Sequence, residues 1–252
     1  MADPTPKLKN APIVEALLDI ECDMPAGLKI TDLEKPANAA FHEQYPQFRA
    51  IAMQEHRLET KPDSEPKISM QQSVHGFQFL KEDGRQLVQL RSQGFSFNRL
   101  APYTTLDDYL PEMERAWKLY VKLASPVKIR TIRLRYINRI LLPMINGGVK
   151  LETYLNVCPR LPDEERLEFI GFLNQHTAFE KDTGNLVNTM LATQTPQENK
   201  LPILFDITAA KAVAFEGTDW AAITPIINSL RLLKNSVFHN TLTEECLNLF
   251  DN

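Results

Sequence analysis

The chain has 252 residues, 43% hydrophobic and 24% charged, a balance that supports a packed core and argues against disorder. A formal net charge of −4 excludes any overall attraction to nucleic acid or anionic membrane surfaces. No stretch approaches the roughly 20 apolar residues of a membrane span, and Glu15 and Asp19 interrupt the first apolar run, so it does not read as a signal peptide.

Residues 1–10 are polar, carry Pro4 and Pro6, and read as a loose lead-in. The first element alternates, with Val14, Ala16, Leu18, Ile20 and Cys22 on one face and Glu15, Asp19 and Glu21 on the other, which predicts a half-buried strand. Residues 30–44 predict a helix capped by Thr31, with Leu33, Ala37, Ala40 and Phe41 on its inner face and Pro46 beyond it. Residues 48–58 read as a strand, and the polar stretch 59–67, with Pro62 and Pro66, as a linker. Residues 75–80 and 87–91 flank Asp83-Gly84, a hairpin signal because both residues tolerate positive φ. A short strand follows at 94–100.

A long helix then starts at Thr105, with Asp107 and Asp108 in its first turn and Leu106, Leu110, Met113, Trp117, Tyr120, Val121 and Ala124 as its apolar stripe. The second half repeats this order: a strand over 128–142, a short helix over 151–157, strands near 167–177, 185–193 and 201–208, and a helix over 218–235. In that last helix Trp220, Ile223, Ile227, Leu230 and Lys234 recur at helical spacing. A terminal helix starts after Thr243. The predicted class is α+β, a mainly antiparallel sheet with long helices on one face. It reads as two halves, 1–124 and 125–252, built as a duplicated strand-helix-strands-helix unit within one continuous domain.

Three strings stand out: residues 10–18 (NAPIVEALL), residues 94–103 (GFSFNRLAPY) and residues 134–140 (LRYINRI). With them the chain resembles a sporadically distributed prokaryotic family of unknown function that has an opening PIvEa strand and a central RYiNri strand. The resemblance covers about residues 8–250, and Ala11 stands where the family often has proline. It implies no catalytic set. Its patchy distribution implies a bacterial protein associated with mobile or defence-related loci.

The most unusual stretch is the central strand, where Arg133, Arg135 and Arg139 share one face and Ile132, Leu134, Tyr136 and Ile140 the other. Three guanidiniums in a row can hold a phosphate or carboxylate. The simpler reading is a cross-strand ionic ladder to Glu15, Asp19 and Glu21 on the first strand. Asn138 falls on the apolar face and needs a partner there, which favours a structural amide.

His42, His56, His75, His176 and His239 show no metal-pair spacing, and no phosphate-binding glycine loop or GxSxG motif is present, so neither a metal nor a cofactor is expected. Phe95, Phe97 and Tyr103 near Arg91 and Arg99 mimic a single-strand binder, but core aromatics explain them more cheaply. Cys22, Cys158 and Cys246 lack CxxC spacing and suit a reduced compartment, so a cytoplasmic location is expected. The leading expectation is a non-enzymatic regulatory protein that acts through a protein partner or as a homo-oligomer. A small anionic or apolar ligand held between the sheet and a long helix is the second, and nucleic-acid contact through the arginine strand the third.

Overall fold

The strict alternation of the opening strand sets the architecture. In the computed structural model, which describes residues 8–59, 67–163, 166–167, 170–216 and 218–251, β1 (Ile13–Asp23) buries Ala16, Leu18, Ile20 and Cys22 on one side. A 3-10 turn (Ile30–Leu33) runs into α1 (Glu34–Phe41). Then come β2 (Gln47–Glu59), β3 (Lys67–Leu80), β4 (Gln86–Arg91), β5 (Gly94–Leu100) and α2 (Leu106–Ala124). The chain continues through β6 (Lys128–Pro143), β7 (Leu173–Phe179), β8 (Leu186–Thr193), β9 (Lys200–Glu216), α3 (Trp220–Thr241) and α4 (Glu244–Asn248). The protein is α+β, and its strands form one nine-stranded sheet in the order β2-β3-β4-β5-β1-β6-β9-β8-β7, every neighbouring pair antiparallel.

Register carries the pattern across the whole sheet. Phe48, Phe79, Val88, Phe97, Leu18, Leu134, Ala209, Val187 and Ala178 are successive cross-strand partners, an apolar row through all the strands. The helices pack on that face. Phe41 of α1 stacks on Phe79 at 5.1 Å, Trp117 and Tyr120 of α2 each meet Phe95 at 5.6 Å, and Phe238 of α3 stacks on Phe205 at 5.9 Å. Thr105 caps α2, its hydroxyl accepting from the Asp108 amide while the Asp108 carboxylate accepts from the Thr105 amide. Thr243 caps α4, its hydroxyl accepting from the Cys246 amide.

Several boundaries differ from the sequence reading. Thr31 does not cap the first helix: it lies inside the 3-10 turn, where Asp32 accepts from the Lys29 amide. The helix expected over 151–157 is a single 3-10 turn, Leu151–Thr153. β9 extends to Glu216 because β6 offers it a ladder from Lys128↔Glu216 to Pro143↔Lys200, and pairing overrides the weak alternation of its second half. α3 reaches Thr241 because Phe238 and Thr241 prolong its inner stripe past the polar Asn235-Ser236. β7 starts at Leu173, six residues later than expected from the sequence. The lead-in over 1–7 and the linker over 60–66 lie outside the described residues.

A polar cluster ties α1, α2 and the β3–β4 hairpin together. The Tyr45 hydroxyl donates to Glu112 of α2 at 3.1 Å and accepts from Gln86 Nε2 at 2.9 Å, and Lys81 Nζ lies 2.8 Å from Glu112. Burial works to raise the Glu112 pKa, but hydrogen bonds, led by the one from Lys81, outweigh it and hold the carboxyl below its ordinary value. Because the folded value lies below the unfolded one, this stabilisation is complete above the ordinary carboxylate range and is lost as pH falls through the depressed value. Glu112→Gln is expected to lower the melting temperature at neutral pH and to shrink the acid-induced drop, as read by melting curves across the acid range.

Gly94 crosses directly under β1. At φ +142° an added Cβ would lie 2.1 Å from the Ile20 carbonyl oxygen, so backbone must move to admit any side chain. Gly94→Ala is expected to destabilise the fold by about 3 kcal/mol, measured by urea unfolding.

Candidate functional site

The arginine strand and the acidic strand are direct neighbours, with Asp19 opposite Arg133 and Leu17 opposite Arg135. Arg133 donates to Asp19 at 3.1 Å and to Glu21 at 2.6 Å. Arg91 of β4 reaches the second oxygen of Asp19, so this carboxylate, only 7% exposed, lies between two guanidiniums. Arg135 grips Asp206 of β9 through Nε at 3.0 Å and Nη2 at 2.5 Å. Glu15 accepts from Asn98 Nδ2 at 2.7 Å. Arg139 leaves the row and donates to Gln194 and Gln197 in the loop before β9. The arginines therefore do not converge on one point, and two of the three engage carboxylates on adjacent strands.

The opposite face carries a concave site. A cavity of about 480 Å³ opens where the lead-in to β1, the start of α2, the middle of β6 and the last turns of α3 meet. Each element brings residues at its own period. Tyr136 and Asn138 come two apart from the inner face of β6, while Arg231, Lys234, Asn235, Phe238 and His239 come from one stripe of α3. A β-bulge between Ile13 and Glu15 lets Ile13 pair with Asn138 and line the cavity, although its odd number would place it on the charged face. All three strings that stand out in the sequence, 10–18, 94–103 and 134–140, reach this place, through Ala11-Pro12-Ile13, Tyr103, and Tyr136 with Asn138.

The chemistry is a cationic rim over an aromatic floor. The hydroxyls of Tyr103 and Tyr136 are 2.9 Å apart, their rings 5.6 Å apart and edge-to-face. Burial pushes Tyr136 up to about 12 and raises Tyr103 further, so both stay protonated and serve as hydrogen-bonding groups at neutral pH. Lys234 Nζ lies 3.9 Å above the Tyr136 ring centre. Arg231 pairs with Asp107 at 2.6 Å, and its Nε is buried with no acceptor among the described residues. Asn138 is 2% exposed and donates to the Phe205 carbonyl at 3.0 Å, which locks β6 to β9 at the cavity floor.

Sequence reasoning singled out Asn138 and noted Tyr103, Tyr136 and Lys234, but gave no part to Arg231, Asp107 or His239. A readable signal was present: on α3, polar residues at 231, 234, 235 and 239 interrupt a stripe that also holds Phe238. Phe95 and Phe97, the mock single-strand binder, are fully buried. All three cysteines are free thiols, and burial raises Cys22 to about 11 and Cys246 to about 12. No cluster of three metal-ligating side chains occurs among the described residues.

Asp19→Ala would leave Arg91 and Arg133 facing each other without their shared acid. The expected loss is about 2–3 kcal/mol, below that of a fully buried pair because both arginines are 36% exposed. Urea unfolding of Asp19→Ala, Arg133→Ala and the double variant measures it as a coupling energy. No family model, no curated protein and no solved structure matches the chain.

Proposed function

We propose that the chain is a non-catalytic binding protein that holds a small anionic molecule in the cavity between β1, β6 and α3. Of the expected roles, through a protein partner, a small ligand or nucleic acid, the concave site favours the ligand. The observation that carries this reading is Arg231: mostly buried, with one N–H lacking an acceptor, beside Lys234 and above a floor of Tyr103, Tyr136 and Phe238. Guanidinium and ammonium groups attract a carboxylate or phosphate, and the aromatic floor receives the ligand's body. Two protonated tyrosines and a locked amide supply orientation. The Arg133 and Arg135 donors are directed to Asp19, Glu21 and Asp206, which speaks against a row open to nucleic acid.

We also infer that the halves 1–124 and 125–252 share one ancestral plan. The support is the strand order, in which β1 and β6 pair at the centre and each is flanked on its outer side by the last strand of its own half, β5 and β9. The second half has one strand fewer.

The test is a thermal-shift series with benzoate, decanoate, adenosine monophosphate and inorganic phosphate, alongside native mass spectrometry of the protein purified gently from its host. A ligand present at a hundredfold its Kd stabilises by about 2.7 kcal/mol, a melting shift of roughly 5–10 °C for a chain this size. Arg231→Gln is expected to abolish the shift, with the ligand-free melting temperature measured in parallel. A series in which no anion moves the melting temperature, with a bare chain mass from the host, removes the proposal.

A further inference from the structure

The two ends of the sheet are protected very differently. At one end the sequence of β2, QFRAIAMQEHRLE, is rich in charge, a composition that keeps an open edge from pairing with another chain. At the other end β7 reads LNQHTAF, with no charged residue and no proline. Its side chains are exposed, Leu173 and Phe179 each at 66%, and the neighbouring Leu186 of β8 is 47% exposed.

The ladder to β8 fixes which backbone groups of β7 face outward. The Thr193 amide donates to the Phe172 carbonyl at 3.1 Å, and the Glu180 amide to the Asn185 carbonyl at 2.8 Å. Hydrogen-bonded positions alternate in an antiparallel pair, so Asn174, His176 and Ala178 also turn their amides and carbonyls toward β8. Leu173, Gln175, Thr177 and Phe179 therefore present theirs on the side away from β8, where no strand pairs with β7 among the described residues.

We infer that this edge pairs with β7 of a second copy, antiparallel about a two-fold axis at His176, to join two sheets into one. That register sets Gln175 against Thr177 and Leu173 against Phe179 of the other copy, and each of these outward amides and carbonyls then meets its complement. No other two-fold register of the strand uses all of them. The register also places Leu173 beside Phe179 of the other copy on the face where Phe179 already pairs with Leu186, giving an apolar contact at each end of the seam. A second copy is favoured over a different protein because the strand is complementary to itself and carries no charge to select another partner. Pairing of β7 with β2 would instead build an open filament, whereas β7 with β7 closes as a dimer.

Light scattering coupled to size exclusion at micromolar concentration is expected to give twice the 28.8 kDa chain mass. Gln175→Pro removes an outward amide and spares the ladder to β8, since proline is tolerated on an edge strand with its nitrogen facing away. It is expected to raise the dimer dissociation constant about 30-fold, from the loss of one hydrogen bond in each copy, with an unchanged far-ultraviolet spectrum. If that variant misfolds, Phe179→Lys at the exposed end tests the same seam. A monomeric wild type, an oligomer indifferent to both variants, or a different protein protecting β7 from hydrogen exchange would each overturn the inference.

Discussion

Everything in this molecule depends on the antiparallel pairing of β1 with β6. The two strands form the centre of the sheet, and both are two-faced: Leu18 against Leu134 and Ile20 against Ile132 on one side, Asp19 against Arg133 on the other. A slip of one residue would drive Arg133 and Arg135 into the core and turn Leu134 out to water, so the register is specified from both faces at once. The apolar side then recruits the helices through Phe79, Phe95 and Phe205. On the charged side Asp19, Glu21 and Asp206 pair with Arg91, Arg133 and Arg135 across strands.

The same pairing explains where the cavity lies. At the far end of the β1–β6 ladder the bulge at Val14 shifts the register, β1 begins at Ile13 opposite Asn138, and the side chains of Tyr136 and Asn138 line the cavity. The floor of the site is thus made partly by the centre of the sheet, through Tyr136 and Asn138, while its rim comes from the last turns of α3 and the first turn of α2. The Tyr103 and Tyr136 hydroxyls hold each other across this floor, while Arg231 and Lys234 reach it on long stems from α3.

Much of the fold was legible because the local patterns agreed with it. The alternation of residues 14–22, the Asp83-Gly84 turn, with Gly84 at φ +66°, and the Thr105 cap each acted over a few residues and needed no tertiary knowledge. The missed features were those set by distant partners. β9 is long because β6 is long, and the 151–157 helix is cut to one turn because Asn156 is bound to the α3 end through the Asn240 and Leu242 carbonyls. The site was only half visible for the same reason. Asn138 declared itself by polarity on an apolar face. Arg231 and Asp107 lie far apart in sequence and become neighbours only when the start of α2 and the later turns of α3 are brought together over the sheet. The ionic ladder was read toward Glu15, Asp19 and Glu21 of the first strand, and Asp206, which takes Arg135, sits on β9, where nothing in the local pattern marks it.

The contact between α2 and the start of α3 has an optical consequence. Trp117 on α2 donates Nε1 to the Thr218 carbonyl at 2.8 Å, and Trp220 begins α3 two residues later. These are the chain's only tryptophans, and both are buried. Intrinsic fluorescence of this protein is therefore a local signal from the place where α2 meets the start of α3. A shift of its emission to the red would report that this joint had opened to water, even while the sheet beneath it kept its strands paired.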